Sequence, residues 1–272
     1  ATALTTQYTT TTKTLTNLTV DYSGAGNQSL FSGTYGAIKT SGSGTKTFLG
    51  AQTINGDLTI GSATTLSAGA FTSSIKGNLI NNGTFTASTS TIQFNGSSAQ
   101  TISGTSALTF NSLTINNSAG VSLSGGTDAT VNGTLTLTSG LFSTNGNAFT
   151  IGSAGSISGA SSSSYIVGAL SRVITSTTAT SFPIGKGGNY RPATFTYAST
   201  PGTKTVTIEQ FESSSPLSIS TASLVRFGSR YWDITQSATG INYTISLNNG
   251  GITPTGNAVI LRREGTGSTT QY

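Results

Sequence analysis

Short runs in which apolar and polar residues alternate, not helical stripes, organise the first part of the chain. In VNGTLTLTSG from Val131, the side chains of Val131, Leu135 and Leu137 fall on one side and Thr134, Thr136 and Thr138 on the other, the period of two expected of a half-buried strand. The phrase recurs as INGDLTI from Ile54 and IKGNLI from Ile75, with shorter relatives LTNLTV from Leu15 and NSLTIN from Asn111. Aligned on the central leucine, the copies fall at Leu18, Leu58, Leu79, Leu113 and Leu135, with gaps of 40, 21, 34 and 22. A recurrence near 21 with Asn/Gly turns predicts a right-handed parallel β-helix, a solenoid in which each coil adds one rung to continuous sheets. The gap of 34 is too short for two full coils, so the period reads as loose. At about 4.8 Å per rung, roughly seven coils would make a rod on the order of 35 Å long.

Past residue 170 the pattern changes. Strand-like segments follow at SRVITS from Ser171, PATFTYAS from Pro192, TKTVTIEQF from Thr203, SRYWDITQS from Ser229, INYTISLN from Ile241 and NAVILRRE from Asn257. That number of short strands in about 100 residues predicts an immunoglobulin-like antiparallel β-sandwich. All five prolines, all six arginines and the single tryptophan, Trp232, lie in this part. Residues 1–170 carry four Lys and three Asp; residues 171–272 carry eight cations and four acids. The expected organisation is therefore all-β in two domains, a β-helix over 1–170 and a sandwich over 171–272.

Composition narrows the chemistry. His, Cys and Met are absent, and only 7% of residues are charged. A Ser-His-Asp or Cys-His nucleophile, a zinc or iron centre of the usual kind and a disulfide framework are excluded with them. Ser, Thr and 35 Gly make up nearly half of the 272 residues, which suits an exposed sheet surface outside the cell. The net charge of +5 is spread thinly, without the clustered cations of a nucleic-acid groove. No apolar run approaches a membrane span. The opening at Ala1, not Met, is read as that of a processed product.

Carboxylates are too dispersed for paired acid–base work. Asp57 and Asp128 are expected about three rungs apart, roughly 15 Å by the rung spacing, and Glu209 and Glu212 fall on opposite sides of a strand. No catalytic residue, metal site or cofactor is expected. Ice binding through Thr ladders is disfavoured, because the loose coil spacing is expected to break their alignment. Trp232 reads as a core aromatic, while Tyr190 and Tyr231 could stack on sugars.

The passage from SGASSSSYIVGALSRVI through FPIGKGGNYRPATFTY to GSRYWDI resembles a module of large secreted surface proteins of Bacteroidota and Ignavibacteria, in which Gly/Ser/Thr-rich β-helix repeats precede a β-sandwich. The resemblance covers roughly residues 130–235. It implies export, often by type IX secretion, and a surface or matrix role without a defined activity; the C-terminal sorting domain expected of such proteins is not found in this sequence.

The first twenty residues are almost entirely β-formers and read as a first rung or as an arm donated to a neighbour. Leu4, Tyr8, Leu15, Leu18 and Val20 are the candidate subunit-contact residues. The expected function is that of a non-enzymatic structural subunit of an extracellular filament, sheath or surface array, a homopolymer of identical copies. The alternative is a monomeric or cell-anchored adhesin that binds glycans or surfaces.

Overall fold

The computed structural model describes residues 15–213, 230–237 and 241–248, together with the strand backbones 261–264 and 268–271. Every regular element among them is a strand. The first coil holds β1 (Leu15–Tyr22) and β2 (Gln28–Leu30), the second β3 (Gly33–Thr40) and β4 (Gly44–Phe48). Later coils have three strands each. The third contains β5 (Gln52–Ile54), β6 (Leu58–Ile60) and β7 (Thr64–Ser67); the fourth β8 (Thr72–Ile75), β9 (Leu79–Asn81) and β10 (Thr84–Thr86). Then come β11 (Thr91–Phe94), β12 (Gln100–Ser103) and β13 (Leu108–Phe110), followed by β14 (Ser112–Asn116), β15 (Val121–Leu123) and β16 (Ala129–Val131). The last two coils are β17 (Thr134–Ser139), β18 (Phe142–Ser143) and β19 (Phe149–Ile151), and β20 (Ser156–Ser158), β21 (Ile166–Val167) and β22 (Leu170–Ile174).

These strands stack in parallel as a β-solenoid of about eight turns with three faces. Face one runs β3-β5-β8-β11-β14-β17-β20, and face two runs β3-β6-β9-β12-β15-β18-β21; β1 lies on β3, with Leu15 at the face-one part and Thr19–Tyr22 at the face-two part. The long β3 serves both, pairing with β5 through Gly33–Tyr35 and with β6 through Ile38–Thr40. Face three consists of two ladders, β2-β4-β7-β10 and β13-β16-β19-β22.

Parallel pairing places like on like. Tyr35, Ile54, Ile75, Phe94, Ile115 and Leu137 form one inward column on face one; Ile38, Leu58, Leu79, Ile102 and Leu123 form another on face two, and all are buried. Each such side chain contributes about 1.5–3 kcal/mol by leaving water. The spacing between stacked residues varies from 18 (Ile166↔Ile184) to 24 (Phe142↔Ile166), and the corners absorb the difference. The expectation that loose spacing breaks the Thr ladders is therefore overturned: Thr34, Thr53, Ser74, Gln93, Thr114, Thr136 and Ser158 lie in one outward row on face one.

The repeated phrase encodes a corner, not a particular face. In INGDLTI and IKGNLI it turns face one into face two, so Leu58 stacks on Leu79. In NSLTIN and VNGTLTL it turns face three into face one, so Leu113 stacks on Leu135. The gap of 34 between Leu79 and Leu113 crosses from one use to the other. Corners are closed by two devices. Asp or Asn oxygens accept backbone N–H bonds from the next coil, as from Asn78 to Asp57 (2.7 Å), Thr101 to Asn78 (2.8 Å) and Ala148 to Asp128 (2.8 Å). Gly36, Gly56 and Gly77 stack backbone on backbone, Gly77 N–H donating to Gly56 C=O at 3.0 Å.

Beyond the last full coil lie β23 (Thr180–Phe182), β24 (Ile184–Lys186), β25 (Asn189–Tyr190), β26 (Ala193–Tyr197), β27 (Lys204–Phe211), β28 (Tyr231–Gln236) and β29 (Tyr243–Leu247), then a hairpin of β30 (Leu261–Glu264) and β31 (Ser268–Gln271). All six expected strand segments contain a strand. β22 stacks parallel on β19 and pairs antiparallel with β27, which pairs antiparallel with β28, so face three continues directly into antiparallel strands. On face two, β24 stacks on β21 and turns back as β25. A separate antiparallel sheet, β23-β26-β29, adds Phe182, Phe195 and Tyr197 to the same buried core. A free-standing immunoglobulin-like sandwich is thus not what the described residues show. The compositional break at residue 170 falls inside a continuous sheet. Trp232 is half-buried against the core, its indole N–H directed at Arg191 C=O at 3.5 Å.

A Cβ on Gly77 would lie 2.3 Å from the Gly56 carbonyl carbon and 2.5 Å from Asp57 Oδ1. Gly77→Ala is expected to cost about 1–3 kcal/mol through this overlap, read as a lower urea midpoint with the β-sheet circular dichroism retained.

Candidate subunit-contact edge

Strand β1 carries the three candidate contact residues that are described; Leu4 and Tyr8 lie outside the described residues. β1 pairs with β3 through Leu15↔Tyr35 and then Thr19↔Ala37, so three residues on β1 oppose only Gly36. This bulge pushes Leu18 outward to 54% exposure, while Leu15 and Val20 lean half-buried on the core. Gly36 makes the bulge feasible: a Cβ there would sit 2.5 Å from Leu18 N and 2.6 Å from Asn17 C. Bulges are one way to blunt an edge strand, so the regular part of this edge is Thr19–Tyr22. Leu49, just after β4, is 52% exposed. Among the described residues, Leu18 and Leu49 are the exposed large apolar side chains, and both belong to the first two coils.

Beneath this edge the end of the solenoid is held by polar contacts that the sequence reading missed. Lys46 is fully buried on β4 and donates to Gly24 C=O (2.7 Å), Gly26 C=O (2.9 Å) and Gln28 Oε1 (2.7 Å). Burial lowers its ammonium below the ordinary lysine value, and the Asp21 carboxylate opposes the shift. Gln28 Oε1 also accepts from Gly24 N–H at 2.9 Å. The same device recurs four coils later, where Gln100 Oε1 accepts from Gly96 N–H and from Asn117 Nδ2, both at 2.9 Å. Two signals were legible: the matching GAGNQ and GSSAQ segments, and the alternation in GTKTF that places Lys46 on the inward side with Phe48. Tyr22 and Tyr35 share a hydroxyl bond of 3.2 Å, and burial raises both phenols above the ordinary tyrosine range. Asp21 accepts from Ser41 Oγ at 2.8 Å and pairs with Lys39 at 3.5 Å.

The other end differs. Face one finishes on β20, which pairs with β17 alone among the described strands; at the first end β1 pairs with β3 alone, its Thr19–Tyr22 stretch capping face two. Faces two and three finish on antiparallel strands braced by Arg191–Glu212 (3.0 Å), Arg230–Glu212 (3.8 Å) and Lys186–Glu209 (3.6 Å). Asp57 and Asp128 sit at different corners, each holding a neighbouring coil. Among the described residues, no group of three His, Cys, Asp or Glu is placed to hold a metal, and no helix is long and apolar enough to cross a membrane. A surface hollow of about 400 Å³ between Ala99, Ser118, Leu141 and Asn145 has no ionisable lining.

Comparisons with protein-family models, curated proteins and solved structures find no match.

Replacing Lys46 by Met removes the donor to Gly24 C=O, Gly26 C=O and Gln28 Oε1, and hydrogen bonds to a charged group contribute about 1.5–3 kcal/mol each. Lys46→Met is expected to raise amide hydrogen exchange across Tyr22–Phe48 while leaving the coils from β14 to β19 protected.

Proposed function

We propose that this protein is a non-enzymatic structural subunit of an extracellular filament, sheath or surface array, secreted and built from identical copies. The observation that carries the reading is that each end of the solenoid has a strand paired on one side only among the described strands, β1 at one end and β20 at the other. A copy that set the Thr19–Tyr22 edge of its β1, which caps face two, beside β20 at the end of the next copy's face one would continue the parallel stacking with a rotation of one face about the solenoid axis. Such a contact is heterologous, and where it does not close into a ring it propagates as a fibre. Leu18 and Leu49 then supply the apolar cover around the joint, and their clustering in the first two coils supports that role. The uncharged hydroxyl exterior suits an extracellular location, as does the resemblance to secreted surface proteins of Bacteroidota and Ignavibacteria.

The protein is expected to sediment as a polymer at micromolar concentration and to show fibres or sheets in negative stain. Leu18→Lys, a change at an exposed position, should shift it toward monomer without altering its thermal unfolding. Monomer alone across that concentration range, with no ordered assemblies on the grid, would overturn the reading.

A further inference from the structure

We infer that the solenoid carries a hinge between its fourth and fifth coils, a slit in face three at which the rod bends and which divides it into two cooperative units. This goes beyond the assembly reading and does not rest on it. From the second coil to the eighth, successive coils are joined by strand pairing on all three faces except here. Faces one and two continue through β8–β11 and β9–β12, but β10 pairs with β7 alone and β13 with β16 alone. A strand paired in parallel offers alternate residues to its two sides. Thr86 C=O accepts from Ala68 N–H at 3.0 Å, so β10 turns Thr86 toward the third coil and Phe85 toward the fifth. Leu108 N–H donates to Asp128 C=O at 2.9 Å and Phe110 C=O accepts from Asn132 N–H at 3.0 Å, so β13 turns these two toward the sixth coil and Thr109 back toward the fourth. The backbone N–H and C=O groups of Phe85 and Thr109 therefore face the slit with no ladder across it.

The slit is tied at both corners and open between them. At its start Asn81 Nδ2 donates to Ser106 C=O (3.3 Å) and Ala107 C=O (3.1 Å); at its end Ser112 N–H (3.1 Å) and Asn111 Nδ2 (3.4 Å) donate to Ser90 C=O. Between the ties lies a hollow of about 320 Å³ lined by Phe85, Thr86, Ser88, Thr109, Asn111 and Asn132 among others. Asn81 Oδ1 and Ser90 Oγ, buried at the two corners, have no hydrogen-bond partner among the described residues. Beneath the slit the Phe85 and Phe110 rings meet at 5.7 Å, so the apolar core runs through. The corner from face two to face three is short before the slit, residues 61–63 and 82–83, and longer after it, residues 104–107, 124–128 and 144–148. The slit falls where one corner type gives way to the other. In a stacked repeat, stability is the sum of each coil's own and its coupling to its neighbours, and here the coupling lacks one ladder of three. Bending the rod with face three on the outside of the curve widens the slit without breaking a strand pair on that face, and unfolding that spreads from either end halts there.

The test is amide hydrogen exchange of the full chain in graded, sub-denaturing urea, read by mass spectrometry with residue-level fragmentation. Thr109 is expected to exchange at least about tenfold faster than Thr130, its register partner one coil on, the scale of one lost backbone hydrogen bond. With rising urea the amides of β5 to β9 should merge onto one opening transition and those of β14 to β19 onto another. Gly77→Ala should speed exchange roughly tenfold in the first set only. Leu137→Val, a small change in a buried column, should do so in the second set only. Thr109 as slow as Thr130, one opening transition shared by both sets in the unmodified chain, or either variant weakening both sets equally would overturn the proposal. The unmodified chain decides the first two points, so the test stands even where a variant does not fold.

Discussion

Everything in this fold depends on parallel hydrogen bonding between successive coils. Once one strand sits in register on the last, its inward side chain stands on an inward side chain and its outward one on an outward one. The apolar columns from Tyr35 to Leu137 and from Ile38 to Leu123 follow from that constraint, and so do the glycine column at Gly36, Gly56 and Gly77 and the Asx bonds from coil to coil. Register fixes the strands, so insertions and deletions must be accommodated between them. This is why stacked spacings of 18 and 24 coexist in one solenoid without disturbing its sheets.

The same constraint explains what could be read from the chain beforehand. Strand positions were legible because alternation is a local property: Leu135 and Leu137 against Thr134 and Thr136, or Val206 and Ile208 against Thr205 and Thr207, needs no knowledge of the neighbours. Face assignment was not, because Asn-Gly makes a sharp turn wherever one is needed, and the leucine after it reports only that a corner has just been passed. Leu18 matched the phrase yet lies on a bulge, since the feature that displaces it is Gly36 on another strand. The C-terminal strands were placed correctly but grouped as a separate sandwich, because nothing local in SRVITS records that one edge of β22 is already paired with β19. For the candidate edge, Leu15, Leu18 and Val20 were visible as β-formers, whereas the Lys46 clamp beneath them depends on carbonyls some twenty residues away.

Charge follows the same division between repeating and terminating structure. Within the repeat a charged side chain would stand over its counterpart in the next rung, and few are present; Lys39, Lys76 and the three aspartates all lie at corners or near the first coil, each with a partner. Where the faces turn antiparallel the stacking rule lapses. Opposite strands now bring different residues together, and Arg191, Arg230, Glu212, Lys186 and Glu209 can be combined in ion pairs. Lys186–Glu209 is near solvent and adds little stability, whereas the side chains of Arg191, Arg230 and Glu212 are mostly buried, so removing one of them would leave a charge unpaired in the interior.

The hydroxyl rows bear on recognition in an unexpected way. Face three has its own row, Thr109, Thr130, Thr150, Ser171, Thr207 and Thr235, which crosses from parallel into antiparallel strands without interruption. A surface specialised for one ordered ligand such as ice would be distinguished on one face, but here equivalent rows clothe more than one. They are explained by the stacking itself together with the need for a β-branched, soluble exterior. A row that is the same everywhere selects nothing. Among the described residues, the large apolar or aromatic side chains that depart from it include Leu18 and Leu49 near one end and the Phe211–Tyr231 stack near the other. The repeat therefore supplies length and a uniform surface, and the side chains that interrupt it stand near its two ends.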